Sequence, residues 1–291
     1  MKLLACLFVP TLAFAFTGPS INKARTSPSS TLNLAPAKDV WILPDEEAVT
    51  KAVHKIVIEA AEKAIRERGN FAMAIPGGSM LKILSTLEAG FWTKKTTLAY
   101  VNHKCVSMDD KDQAIHAKAK MMFLDRWGID FAVTLEGTGD SDYESAEYCK
   151  KLRALPEVVL PIDEDGYPVF DLCLVGVGDD GHIGSLYPDR DEILKKDQWV
   201  VGVNMKTPAG ISLTLPVMQR AKKTVVAAAG QSAKYPKGKA EAMKLAIEDS
   251  DVRPQRFPAC ALREDAIWIL DEANASDMPE MKRSNLEEVP L

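Results

Sequence analysis

Cysteine is scarce and scattered. The five residues Cys6, Cys105, Cys149, Cys173 and Cys260 contain no C-x-x-C pair, and the four histidines do not cluster. This excludes a disulfide framework and a zinc site, so no metal is expected. No basic block stands out either, and 36 Lys and Arg against 41 Asp and Glu leave a net charge of −5. Nucleic acid and anionic membrane are therefore poor partners for such a surface. No internal repeat is visible, and no uninterrupted apolar run reaches membrane-spanning length.

Acidic residues are missing altogether from Thr17 to Lys38, a stretch rich in Ser and Thr that carries Lys23, Arg25 and Lys38. That is the composition of a transit peptide. Ahead of it, Lys2 precedes an apolar run from Leu3 to Val9, and Ala13-Phe14-Ala15 has the small-x-small pattern of a signal-peptidase site. Residues 1–15 are read as a signal peptide and 16–37 as a transit-like segment. Signal first and transit second, with Phe16 just after the cut, resembles the bipartite leaders of plastid proteins in algae with secondary plastids. A plastid location follows as the expectation, with the secretory pathway as the alternative, and no membrane attachment once the leader is removed.

From residue 38 onward short apolar runs alternate with helical periodicity. Val40-Trp41-Ile42-Leu43 reads as a strand, and Asp45 as the N-cap of a helix that buries Val49, Val53, Ile56, Ala60 and Ala64 until Gly69 stops it. Phe71 to Pro76 and Thr97 to Val101 read as strands, Asp112 to Trp127 and Tyr143 to Leu155 as helices. Further strands are expected at Trp199–Val203, Ile211–Leu215, Thr224–Ala228 and Ala266–Asp271. The fold class is α/β: a mainly parallel sheet with helices on both faces, Rossmann-like, in a single domain over 38–275. The charged tail, 276–291, is expected to be disordered.

Two strand ends carry chemistry. Gly77-Gly78-Ser79 follows the second strand and opens a helix, so its backbone N–H groups and the Ser79 hydroxyl make a phosphate cradle, or equally an ordinary capped turn. It lacks the lysine of a Walker loop. Leu172 to Val175 reads as a buried strand ending in Gly176-Val177-Gly178-Asp179-Asp180-Gly181-His182, at the sheet edge where α/β proteins bind ligands. Asp180 and His182 there are suited to moving protons, and Gly181 between them permits a backbone a side chain would forbid. His103 and Lys104 also fall at a strand's carboxyl end. Lys239, near a helix start beyond a polar insert at Gln231–Gly238, is a candidate to meet an anion. His54 and His116, on helices, are expected to be structural.

Gly176-x-Gly178-x-Asp180-Gly181-His182-x-x-Ser185-Leu186-Tyr187-Pro188 closely resembles the signature of the 6-phosphogluconolactonases. Pro76-Gly77-Gly78-Ser79, Ile211 to Pro216 and Ile267 to Asp271 resemble further segments of that family. The resemblance implies hydrolysis of a phosphorylated sugar lactone in the pentose phosphate pathway, with no cofactor. His182 would act as general base, Asp180 as its orienting partner, the glycines Gly178 and Gly181 as part of the oxyanion loop, and Gly77, Gly78, Ser79, Lys104 and Lys239 as phosphate ligands. Ser185 has no nucleophile elbow around it and is expected to cap or line the site.

Three positions depart from the family pattern. Asn102-His103-Lys104 stands where Asp-Glu-Arg is usual, Gly210 where an arginine is usual, and the insert 231–238 separates Gly230 from the lysine that usually follows it closely. Three competing readings remain at this point. One is a non-catalytic sugar-phosphate binder. Another is a glucosamine-6-phosphate deaminase or isomerase, which shares Asp-Gly-His but needs a carboxylate where Asn102 stands. The last is a dinucleotide-dependent oxidoreductase, because Gly176, Gly178 and Gly181 literally spell G-x-G-x-x-G.

Overall fold

Strands built almost wholly of apolar residues need cover on both faces, and in this chain they find it. In the computed structural model, which describes residues 34–129, 131–233 and 235–289, β2 (Phe71–Ile75), β5 (Leu172–Val175) and β8 (Thr224–Ala228) are buried along their whole length. With β1 (Asp39–Leu43), β3 (Thr96–Tyr100) and β9 (Ala266–Asp271) they form a six-stranded sheet in the order β1-β9-β8-β5-β2-β3. Every pairing in it is parallel. Such sheets read as unbroken hydrophobic runs because helices cover both sides.

The two-residue period of a strand divides the core. Phe71, Met73 and Ile75 of β2 face one apolar layer together with Val49, Val53, Ile56 and Ala60 of α1 (Glu46–Arg68). Ala72 and Ala74 face the other, with Tyr148 and Leu152 of the later helix at Ser141–Arg153 and Met243 and Ala246 further on. The expected caps of α1 are present: Asp45 accepts from the Ala48 N–H at 2.8 Å, and Gly69 closes the helix at φ 78.

The third strand does not run on as expected. β3 ends at Tyr100, and the Val101 peptide serves two sheets at once. Its N–H donates to the Ile75 carbonyl of β2 at 2.9 Å, while its own carbonyl accepts from Leu213 at 2.7 Å. The next residues, β4 (Asn102–Lys104), form an edge of a separate three-stranded antiparallel sheet; α2 (Ser79–Ser85) connects β2 to β3, whereas α3 (Ile115–Ala119), α4 (Asp125–Trp127) and α5 (Ser141–Arg153) follow β4. Its other strands, β6 (Val200–Val203) and β7 (Gly210–Leu213), were both legible as strands but belong to this small sheet. After them, Pro216 sits in the first turn of α6 (Leu215–Gln219) and α7 (Ala240–Ile247) precedes β9. The expected helix at 112–127 is α3 and α4 joined by a π-helical turn at Lys120–Leu124.

The tail corrects an expectation. Read as disordered, it is packed as far as it is described: Met278 and Val289 are buried, and Ser284 N–H donates to the Ile42 carbonyl at 2.8 Å. Arg283 holds the turn by donating to the Met281 and Met278 carbonyls at 2.8 and 3.0 Å. Widely spaced apolar residues and one well-placed guanidinium suffice here, which a composition argument misses. The proposed signal peptide at 1–15 lies outside the described residues, as does all but the end of the transit-like segment at 16–37. Among the described residues no helix is long and apolar enough to cross a membrane.

Candidate functional site

The loop after β5 is a tight turn built for an imidazole. Gly178 N–H donates to the His182 carbonyl at 2.8 Å and Gly181 N–H to the Gly178 carbonyl at 2.9 Å. Gly181 sits at φ 81 with the Phe257 ring 2.5 Å from where a Cβ would stand, so its glycine is required twice over. At Gly178 the reason is contact alone: a Cβ there would lie 2.0 Å from Nδ1 of His182. The imidazole rests on the bare backbone of Gly178.

Asp180 fixes the ring's tautomer. Its Oδ1 accepts from the His182 backbone N–H at 3.1 Å and from ring Nδ1 at 2.5 Å, so Nδ1 carries the proton and Nε2 is the basic nitrogen. Partial burial works against the charged carboxylate of Asp180, but the hydrogen bonds from His182 outweigh it and hold the carboxyl below its ordinary range. The Tyr187 ring lies 4.8 Å from the imidazole, tilted by 39°, and limits its movement on another side.

A cleft of about 510 Å³ opens where the carboxyl ends of β2 and β5 lie side by side, and the expected residues gather around it. Gly77, Gly78, Ser79, Lys104, Gly178, His182 and Lys239 all line it. Asp180 stands behind His182 and Gly181 forms the turn, so neither is part of the wall. The helix that begins at Ser79, α2, is only seven residues long, with Gly78 at φ 73 before it. An anion at this loop would meet backbone N–H groups and the exposed Ser79 hydroxyl more than a helix dipole. Lys239 reaches in from the start of α7, and its Nζ donates to the Val177 carbonyl. Burial lowers its pKa, against the opposing pull of Asp179 and Asp180.

β4 separates two residues that were read together. Alternate side chains of a strand point to opposite faces, so Lys104 lines the cleft while His103 is buried, 1% exposed. His103 is structural: Nε2 accepts the His116 N–H at 3.0 Å and Nδ1 lies 2.7 Å from the Lys104 carbonyl, to which it donates. Burial pushes its pKa down to about 4. Because the folded value lies below the usual 6.5, the unfolded chain binds the proton first. Stability is full above about pH 6.5 and falls as the pH drops toward 4, by about 3 kcal/mol from this group. His54 and His116, both lowered chiefly by burial, add to the same slope. Urea midpoints at pH 7 and pH 4.5 should converge between wild type and His103→Gln. An equal loss in both proteins would remove His103 as the acid-sensitive group.

The departures from the family pattern have structural reasons. Gly210 pairs with Lys104 across β4 and β7, and a Cβ there would meet the His103 carbonyl at 2.8 Å. No arginine fits at 210 unless β4 moves. Asn102 lines the cleft, and its Nδ2 donates to Ser185 Oγ at 3.3 Å. Ser185 is itself buried and its N–H donates to Ser212 Oγ at 3.1 Å, so it buttresses Asn102 as a strut. The insert contributes Tyr235, which lines both this cleft and a neighbouring cavity of about 270 Å³ bounded by Glu46, Gln231 and Asn274. Gln113 and Lys118 complete the wall and were not singled out in the sequence, where nothing distinguishes them from surface polar residues.

The glycine-rich loop does not open a helix. Ile183 and Leu186 pair back on each other, and the next helical turn is a short 3-10 segment at Asp191–Leu194, so the dinucleotide reading lacks the helix its fingerprint requires. The family model described as glucosamine-6-phosphate isomerases/6-phosphogluconolactonase matches residues 44–269. The chain belongs to that family.

Within it, the chain is similar to a probable 6-phosphogluconolactonase 2 of Arabidopsis thaliana, 29% identical over 265 residues, covering 84% of this chain and 97% of the relative. It is similar also to the chloroplastic 6-phosphogluconolactonase 3 of the same plant, 26% identical over 88% of this chain and 80% of that one. Among solved structures it superposes on the 6-phosphogluconolactonase of Trypanosoma cruzi with a TM-score of 0.70 at 18% identity, over 85% of this chain and 99% of that one. The fold is thus shared along nearly the whole length of that solved structure.

Proposed function

We propose that the protein hydrolyses 6-phosphogluconolactone to 6-phosphogluconate in the oxidative pentose phosphate pathway. The observation that carries this reading is that His182, with its tautomer set by Asp180, lines the same cleft as the Gly77-Gly78-Ser79 loop and Lys104. The relatives are named for this reaction. Nε2 takes a proton from water as it attacks the lactone carbonyl, and the imidazolium then returns it to the departing ring oxygen, opening the ester. The Asp180 carboxylate stabilises the transient imidazolium without taking its proton. The N–H groups of Gly178 and Gly181, expected to hold the developing oxyanion, are engaged within the turn, so that role falls to other N–H groups of the loop. The phosphate is held by the Gly77–Ser79 loop, Lys104 and Lys239. Deamination of an amino sugar is disfavoured because Asn102 offers an amide where that chemistry needs a base.

The deciding experiment follows acid release from freshly made 6-phosphogluconolactone at controlled pH. Turnover well above the spontaneous slope is expected. A slope unchanged at high enzyme concentration would leave a sugar-phosphate binder instead.

We further infer a plastid location, supported by the leader composition of residues 1–37 and by the chloroplastic relative. Residues 1–38 fused to a fluorescent protein should direct it into the plastid of an alga with secondary plastids. Secretion of the fusion would show that only the signal peptide operates.

A further inference from the structure

The cleft holds more positive charge than the roles above account for. Lys118 lies on α3, three residues after Ile115, and Ile115 Cδ1 is 3.0 Å from the place a Cβ on Gly77 would occupy. Residues three apart share a helix face, so the face that abuts the glycine loop also carries Lys118 into the cleft. Among the described residues Lys118 forms no salt bridge, whereas its neighbour Lys120 is held by Asp125 at 2.6 Å. Among the described residues Lys104 has only a neutral partner, Gln113 Oε1 at 3.1 Å. One carboxylate, Asp179, is among the lining residues, and its charge acts on Lys239.

Like charges gathered in a concave site raise the local potential and concentrate an anionic ligand. Gly210, paired with Lys104 in the small sheet, has no room for a side chain and adds no cation beside it. We propose that Lys118 binds the substrate phosphate and sets the preference for the phosphorylated over the free sugar lactone. This rests on the hydrolase reading of the same cleft. A lysine on a flexible stem acts as a point charge, which suits a phosphate that must be released again with the product.

Calorimetric titration of wild type, Lys118→Met, Lys118→Arg and Lys120→Met with 6-phosphogluconate and with gluconate tests this. The methionine variant should weaken 6-phosphogluconate about tenfold or more, the scale of one charged hydrogen bond. Its preference over gluconate should shrink by the same factor. Lys118→Arg, which keeps the charge, should recover most of the affinity, and Lys120→Met, which removes equal charge outside the cleft, should bind as wild type does. In turnover the loss should appear in KM rather than kcat. Wild-type affinity in Lys118→Met would overturn the assignment, as would an equal loss in Lys120→Met. A wild type that hydrolyses nothing yet binds 6-phosphogluconate through Lys118 would retire the hydrolase reading and keep this one; a wild type that binds none would retire both.

Discussion

His182→Ala lowers the rate of 6-phosphogluconolactone hydrolysis by about 10²- to 10⁴-fold, the range for losing a positioned general base. The side chain is 27% exposed and fills a cleft wall rather than the core, so the variant should unfold close to the wild-type temperature. Little else in the cleft can take its place: the other three histidines are engaged elsewhere. His103 accepts a backbone N–H, His116 bonds the Tyr100 hydroxyl at 2.7 Å, and His54 bonds the Ile83 carbonyl at the same distance. Acid release at several enzyme concentrations, corrected for spontaneous opening, measures the effect. Retention of more than a tenth of the activity would take His182 out of the mechanism.

Gly178→Ala should cost nearly as much while leaving every functional group in the chain. The new methyl would stand 2.0 Å from Nδ1 and 2.7 Å from Asp180 Oδ1, so the ring and its carboxylate cannot both stay where they are. Displacing a catalytic group by an ångström is worth about a hundredfold. The neighbouring Gly176→Ala supplies the comparison, since a Cβ at 176 meets nothing within 4 Å. It should keep near wild-type kcat. The contrast separates placement of the imidazole from general tolerance of the loop, and equal activity in the two variants would show that the ring's seat on Gly178 does not matter.

Much of the site was legible along the chain because its parts are local. An apolar strand followed by glycines and an acid–imidazole pair is a short-range pattern, and so are Asp45 and Gly69 at the ends of α1. The same locality explains the failures. His103 and Lys104 are adjacent in sequence and looked equivalent, but the pleat of β4 sends one into the core and the other into the cleft. The tail looked disordered from its charge, yet Met278 and Val289 find burial against elements more than two hundred residues earlier, such as β1 and α1.

By itself the sequence determined the alternation of strand and helix, the glycine turns that only one backbone geometry satisfies, and the closeness of Asp180 to His182 along the chain. Those are matters of periodicity, steric freedom and neighbours two residues apart. Only the tertiary structure decided that β5 lies beside β2, which brings loops a hundred residues apart to one cleft. It also decided that β3 hands the chain over at Val101 to a second sheet, and that α3 packs Ile115 against the glycine loop and brings Lys118 to the cleft wall. Strand order and helix docking come from the summed burial of many side chains, and no short stretch of residues encodes that sum.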